Sequence, residues 1–272
     1  MAQTKEPESQ KGSGHSKPEV PTSKRVIWGL GGITDCMIYN GLNGLIDQIY
    51  IIALALDPKW VGLARSVPRF LDFVTDPLVG HMSDNTRSRF GRRKPWMLVG
   101  VIIAAIAGIA MWYPPIRLGP MAVNIFIIAM LSLLFTIGYA AFTIPYTAMG
   151  YEMSTNSDER THIFKYRILA FTIVGFLTPW LARLCLALEG DKAEVFKGLQ
   201  GVRIVSVGIV GVILLSGLLP ILFCKDIKHT PSEKKVSFMQ AVGFTIHNAA
   251  FWPIVIGNFL MKFGMSITGV FF

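Results

Sequence analysis

Charge is what this chain of 272 residues has least of: Asp, Glu, Lys and Arg make up 16% of it, against 52% hydrophobic residues. A soluble domain of this length carries more charge, so a membrane protein is the first reading. Cysteine is also scarce. Cys36, Cys185 and Cys224 have no paired spacing and form no CxxC, which excludes a disulfide framework and leaves free thiols packed as small hydrophobes. His81, His162, His229 and His247 show no ligand spacing, and the chain has no HExxH, no GxxxxGK[ST] and no serine-nucleophile motif. Enzyme chemistry therefore has no foothold. A secretory signal is missing as well: residues 1–25 are polar and rich in Lys, Ser, Glu and Pro, a composition that reads as a disordered tail.

Long apolar runs are what the chain does have. A helix crossing hydrocarbon needs about 20 mostly apolar residues, and runs such as MLVGVIIAAIAGIAMW and VRIVSVGIVGVILLSGLLPILF lack the alternation of a membrane β-barrel. The runs predict six complete spans, at 26–54, 59–80, 95–113, 120–149, 163–187 and 201–223, and a partial seventh over 250–272. That last run is still apolar at Phe272, which reads as a fragment or a truncated gene product. Basic residues cluster on the side of the N-terminal tail: Lys24 and Arg25, then Arg87, Arg89, Arg92, Arg93 and Lys94, then Lys225, Lys228, Lys234 and Lys235. The positive-inside rule then puts the N-terminus, the 81–95 loop and a 224–249 linker in the cytoplasm of a plasma or inner membrane. The net charge of +9 is accounted for by topology and needs no nucleic acid.

Charges inside the spans stand out, because each costs about 2.5–3.5 kcal/mol on insertion scales and such groups face a bundle interior or a cavity. In the second span, Asp72 falls about 60° behind Arg69 around a helix and Asp76 about 40° beyond Asp72, so all three share one face. Two carboxylates one turn apart suit a hard monovalent cation or a proton, and one arginine cannot neutralise both. Asp35 opens a polar stripe in the first span, followed by Tyr39 and Asn43 at intervals of four, with Thr34 and Asn40 at its edge. The fourth span has a parallel stripe of Thr136, Tyr139, Thr143 and Thr147, with Tyr146 beside it and Pro145 loosening the backbone. Arg167 near the end of the fifth span has two options: to snorkel outward, or to turn inward toward Asp35 or a solute.

The run Asp76-Pro77-Leu78-Val79-Gly80, then Ser83-Asp84, Thr86, Ser88-Arg89 and Gly91-Arg92-Arg93-Lys94-Pro95-Trp96, resembles the signature of the glycoside–pentoside–hexuronide:cation symporter family (melibiose-permease-like) of the major facilitator superfamily. GYEMSTNSDERTHIFKYR is similar to the family's loop between spans four and five. The resemblance implies an all-α membrane protein of major facilitator fold: an N-terminal six-helix bundle over 26–223 and a partial seventh helix, with a second bundle missing. It also implies cation-coupled symport of a small solute, a sugar or glycoside, with Na⁺ or H⁺ as coupling ion and no other cofactor. By position, Asp72 and Asp76 match the family's cation-site aspartates and Arg69 the arginine before them, while Asp35, Tyr139 and Arg167 match sugar-site positions. Thr75 stands where a cation-site Asn is found in the family and Ala140 where a Thr is. Thr34, Thr143 and Thr147 replace Lys, Asp and Trp beside the sugar. Tyr39, Thr143 and Thr147 complete the expected solute site. Asp84, Arg92 and Arg93 join Arg69 as gating partners, pairing with helix ends or with the second bundle.

The implied mechanism is alternating access around a midplane site. A cation at Asp72 and Asp76 is expected to draw the second helix against Asp35's helix and so raise solute affinity. Two other readings stay open: a cation-coupled carrier of lysolipids or other amphiphiles, and a truncated half-carrier that does not transport.

Overall fold

The computed structural model describes residues 20–42, 50–51, 56–113, 121–189 and 200–224, with isolated positions between 243 and 261. Among the described residues every regular element is helical: α1 (Thr22–Cys36), a π-helical continuation (Met37–Leu42), α2 (Pro58–Asn85), α3 (Lys94–Trp112), α4 (Met121–Glu152), α5 (Ser157–Glu189) and α6 (Gln200–Phe223). The expected spans three to six coincide with α3 to α6 to within one residue at most ends, with α4 running three residues further at its end and α5 starting six residues earlier. These four helices are long and apolar enough to cross a membrane. In α2 the ionisable groups at 59, 65, 69, 72, 76 and 84 dilute the apolar surface that such a crossing needs.

The first helix departs from expectation at both ends. It begins at Thr22, inside the segment read as tail, because the Val20 amide donates to Glu159 Oε1 at 2.5 Å and fixes the chain just before the helix. After Cys36 the expected single span changes to a π-helical turn through Leu42. Asn43, most of the 224–249 linker and most of the seventh span lie outside the described residues. All three cysteines are free and buried, as the sequence implied.

Packing divides the helices into two sets. In one, α4 carries α3 and α2; in the other, α1 carries α5 and α6. The sets are joined by α3 against α6, while α4 meets α1 and α5 more loosely. Close approach within the second set depends on glycine: a Cβ on Gly29 would lie 2.6 Å from Tyr166 Cβ, and one on Gly32 would lie 2.6 Å from the Arg167 carbonyl. With hydrogen at both positions, α1 lies against α5 backbone to backbone, as small residues permit in membrane bundles. This contact brings Arg167 alongside Asp35.

Each helix start has a local reason. The Asp57 side chain accepts from the Lys59 amide at 2.9 Å and Pro58 occupies the first turn of α2, a position where its missing N–H costs nothing. Pro95 likewise occupies the first turn of α3, which has no side-chain cap. Between them Gly91 adopts φ 113°, a left-handed conformation that side chains rarely tolerate, and its amide closes a turn onto the Ser88 carbonyl at 3.2 Å.

Candidate functional site

Asp35 is the centre of the site. Its residue is 3% exposed, a position where a carboxylate persists only if its oxygens are satisfied. Tyr139 donates to Oδ1 at 3.0 Å and Thr143 donates to the same oxygen at 3.3 Å. Arg167 donates to Oδ2 at 2.8 Å and forms an ion pair with it. One carboxylate thus binds α4 and α5 to α1, across the junction where the two helix sets pack loosely. Of the two options for Arg167, the structure takes the inward one.

An aromatic wall supports the arginine. Its guanidinium carbon lies 5.3 Å from the Tyr146 ring centre and 5.8 Å from that of Phe164, within cation–π range. Tyr146 in turn stacks on Trp28 at 4.8 Å and on Phe142 at 5.3 Å, and its hydroxyl donates to the Trp28 carbonyl at 2.8 Å. Trp28 and Phe164 escaped the sequence reading, since an aromatic in an apolar run gives no sign of what it packs against.

The rest of the expected solute set is distributed differently. Tyr39 is 54% exposed, and its ring lies 6.2 Å from that of Tyr139, at the edge of the Asp35 cluster. Thr147 is half-buried one turn beyond Thr143, and no hydrogen bond joins it to Asp35. Thr34 does not belong to the stripe. Its hydroxyl faces α6, 2.7 Å from Ser216 Oγ and donating to the Ile213 carbonyl at 3.1 Å, because adjacent residues on a helix point about 100° apart. Asn40 donates to Cys36 Sγ at 3.4 Å, a bond within its own turn.

On α2, Asp72 and Thr75 are half-buried and Asp76 is exposed. The Thr75 hydroxyl oxygen is buried without a hydrogen-bond partner among the described residues. The side chain of Arg69 lies outside the described residues. Pro77 sits inside the helix directly after Asp76, and with no N–H to donate it leaves the carbonyl of residue 73 without its helical partner. The helix α2 packs chiefly on α4, and α4 carries Tyr139 and Thr143, which hold Asp35.

The basic loop between α2 and α3 closes onto its own bundle. Arg93, 4% exposed, donates from Nε and Nη2 to Asp84 Oδ1 at 3.0 and 2.8 Å, and its Nη1 lies 2.7 Å from Glu152 Oε2. Arg92 pairs with Glu152 Oε1. The ends of α2, α3 and α4 are thereby tied at one point, and Trp96 Nε1 adds a bond to Thr86 Oγ1 at 2.7 Å. Glu152 was missed by sequence reasoning, although an acid at the end of an apolar span, on the side of a basic loop, is a usable signal. A second tie holds the other helix set: Glu159 pairs with Arg25 at 3.1 Å and accepts from Ser154 at 2.5 Å.

Replacing Glu152 by Gln is expected to cost more stability than replacing Asp84 by Asn. Glu152 serves two arginines, one of them nearly inaccessible, whereas the Asp84 side chain is 50% exposed. We expect about 2–3 kcal/mol for Glu152→Gln and about 0–1 kcal/mol for Asp84→Asn, read as thermal midpoints in detergent. Equal losses would contradict this division of the network.

Residues 27–272 match the family model described as MFS/sugar transport protein. An uncharacterized symporter of Synechocystis is 34% identical over 131 residues, covering 46% of this chain and 24% of its own length. The putative glycoside/cation symporter YagG of Escherichia coli is 28% identical over 197 residues, covering 70% of this chain and 41% of its own. A sodium-dependent lysophosphatidylcholine symporter of Danio rerio is 30% identical over 191 residues, covering 65% and 35%. The chain thus spans between about a quarter and under half the length of these relatives.

Proposed function

The chain belongs to the MFS/sugar transport protein family, and from that premise we propose that it supplies the solute- and cation-binding bundle of a symporter for a small hydroxylated solute, a sugar or glycoside. The observation that carries this reading is the Asp35 carboxylate, held by Tyr139, Thr143 and Arg167 at a loosely packed helix junction. A buried carboxylate beside a guanidinium offers both an acceptor and donors to sugar hydroxyls. Their present pairing keeps the charges satisfied until hydroxyl groups replace one bond with another of the same kind. Tyr39 and Tyr139, with ring centres 6.2 Å apart and planes tilted by 40°, supply apolar edges for a sugar ring.

Asp72, Asp76 and Thr75 are the proposed cation ligands, with Na⁺ or H⁺ as the ion. Neutralising the two carboxylates relieves their repulsion and lets α2 settle on α4. Tyr139 and Thr143 pass that change to Asp35, so cation and solute each tighten the other's binding by the same factor. The remaining bundle is expected to close the other side of the site, as alternating access requires. The clustering of basic residues with the N-terminus supports a cytoplasmic location for that side, in a plasma or inner membrane.

Reconstituting the complete gene product in vesicles tests the proposal. Labelled monosaccharides, glycosides and lysophosphatidylcholine are offered under an inward Na⁺ gradient, a proton gradient, or neither. One positive charge moving down 100 mV is worth about 2.3 kcal/mol, roughly fifty-fold accumulation. A hydroxylated solute that accumulates to this degree and collapses with an ionophore is the expected result. Accumulation of the lysolipid alone, or uptake indifferent to every gradient, refutes the reading.

A further inference from the structure

We infer that Thr34 and Ser216 are positioning residues of the solute centre: the hydrogen bond between them fixes the rotation of α1 against α6 and so aims Asp35 at Arg167. The inference rests on the reading of Asp35 proposed above and adds two residues whose hydroxyls lie on the far side of α1 from it. Thr34 is fully buried and Ser216 nearly so. The Ser216 hydroxyl gives its proton to the Val212 carbonyl one turn earlier, at 2.7 Å. Its oxygen is left to accept, and the single hydroxyl proton of Thr34 is shared between Ser216 Oγ at 2.7 Å and the Ile213 carbonyl at 3.1 Å. A threonine inside a helix commonly turns its hydroxyl back to the carbonyl four residues before. Thr34 crosses to the neighbouring helix instead.

The sequence around Thr34 explains why α1 needs this bond. Between Trp28 and Asp35, α1 approaches α4 and α5 at glycines. A Cβ on Gly31 would lie 2.6 Å from Tyr146 Cε2, and Gly29 and Gly32 stand equally close to α5. Such surfaces permit close approach, and they carry no side chain to resist rotation about the helix axis. Just beyond Asp35 the helix passes into π geometry, so no continuous α-helical brace reaches the carboxylate from that end. Thr34 fixes the rotation from α6, and Gly217 leaves room for it: a Cβ there would lie 3.2 Å from Thr34 Oγ1 and 2.9 Å from Val101 Cγ2. With a helix radius of about 5–6 Å including side chains, a rotation of about 20° carries a side-chain end about 2 Å. That displacement is enough to break the 2.8 Å bond from Arg167 to Asp35. A solute hydroxyl that takes one of Asp35's bonds leaves the grip of Thr34 on α6 untouched, so the carboxylate keeps its place while its partners change.

The test is a double-mutant cycle on the purified 272-residue chain in detergent, with no solute present. Thr34→Val keeps the shape and removes the hydroxyl, and it orphans no buried donor, because Ser216 still donates to Val212. It is expected to lower the thermal midpoint by about 2–4 °C in the parent, and by about half as much in an Arg167→Gln background, where the aim of Asp35 no longer matters. Thr34→Ser keeps the hydroxyl and should bring the midpoint back to within about 1 °C of the parent. Ser216→Ala leaves the Ile213 carbonyl as acceptor and is expected to give a smaller shift of the same kind. In the complete gene product, affinity for methyl glycosides should fall about fivefold in Thr34→Val and return to within about twofold in Thr34→Ser, the loss and recovery of one hydrogen bond. Equal midpoint shifts in the two backgrounds overturn the proposal, since independent sites add. A Thr34→Ser variant that restores neither quantity overturns it too, as does glycoside affinity unchanged in Thr34→Val. A parent protein that binds no methyl glycoside refutes the sugar reading alone, and the cycle, which contains no solute, still decides the positioning role.

Discussion

Replacing Asp72 or Asp76 by Asn is expected to reduce cation-driven solute uptake to the level of vesicles without a gradient, with the protein still inserted in normal amount. Asn keeps the size of the side chain and one carbonyl oxygen, so helix geometry and packing persist. What disappears is the negative charge that makes a bound cation worth its dehydration. Two carboxylates about 6 Å apart repel by roughly 3 kcal/mol at an effective dielectric of 20, and this repulsion is what an ion or proton at the pair relieves. The same reasoning fixes the sign of the stability effect. If the aspartates served only to pair with Arg69, each Asn variant would leave a cation uncompensated and lower the thermal midpoint. For a cation site, loss of one charge leaves the midpoint unchanged or raises it, while coupling vanishes. Asp72 is half-buried and Asp76 exposed in this bundle, so Asp72→Asn is expected to have the larger effect on uptake. Retained cation stimulation in both variants would remove the pair from the coupling mechanism.

How much of this was legible in the sequence depends on the kind of information each feature needs. Helices α3 to α6 were legible because each apolar run is its own signal, independent of its neighbours. The expected shared face of Arg69, Asp72 and Asp76 rests on helical period alone. What period cannot supply is the identity of the facing helix. Thr34 and Asp35 are adjacent, yet one meets Ser216 on α6 and the other Arg167 on α5, and only packing decides which. The two options for Arg167 were equally open in the sequence. The inward one prevails because Gly29 and Gly32 let α5 approach closely enough for a 2.8 Å ion pair. The π-helical turn after Cys36 left no mark on the hydropathy pattern, since a change from α to π geometry alters hydrogen-bond register without requiring a different composition. Glu152 and Glu159 were passed over because each sits at a helix end, where an acid is ordinary until the arginine that reaches it is known.

Asp35 and Arg167 are expected to show opposite behaviour in stability and in solute binding when changed together. Asp35→Asn alone leaves the Arg167 guanidinium facing a neutral amide in a site where its side chain is 18% exposed. Removing one partner of a buried pair in this way costs about 3–5 kcal/mol. Arg167→Gln is expected to cost less, since Tyr139 and Thr143 continue to donate to the remaining carboxylate. The double variant replaces the ion pair by two uncharged amides, and Tyr139 and Thr143 can still donate to the Asn carbonyl oxygen. Its stability is expected to return to within about 1–2 kcal/mol of the wild type, because the uncompensated charge is gone. Solute binding should not return with it. Charged donors and acceptors give hydrogen bonds roughly twice as strong as neutral ones, and the amide pair offers none. Thermal unfolding in detergent reports the first quantity, and solute titration followed by tryptophan fluorescence reports the second. A double variant that recovered binding together with stability would show that the pair is scaffolding, and the solute site would then have to be sought elsewhere in the bundle.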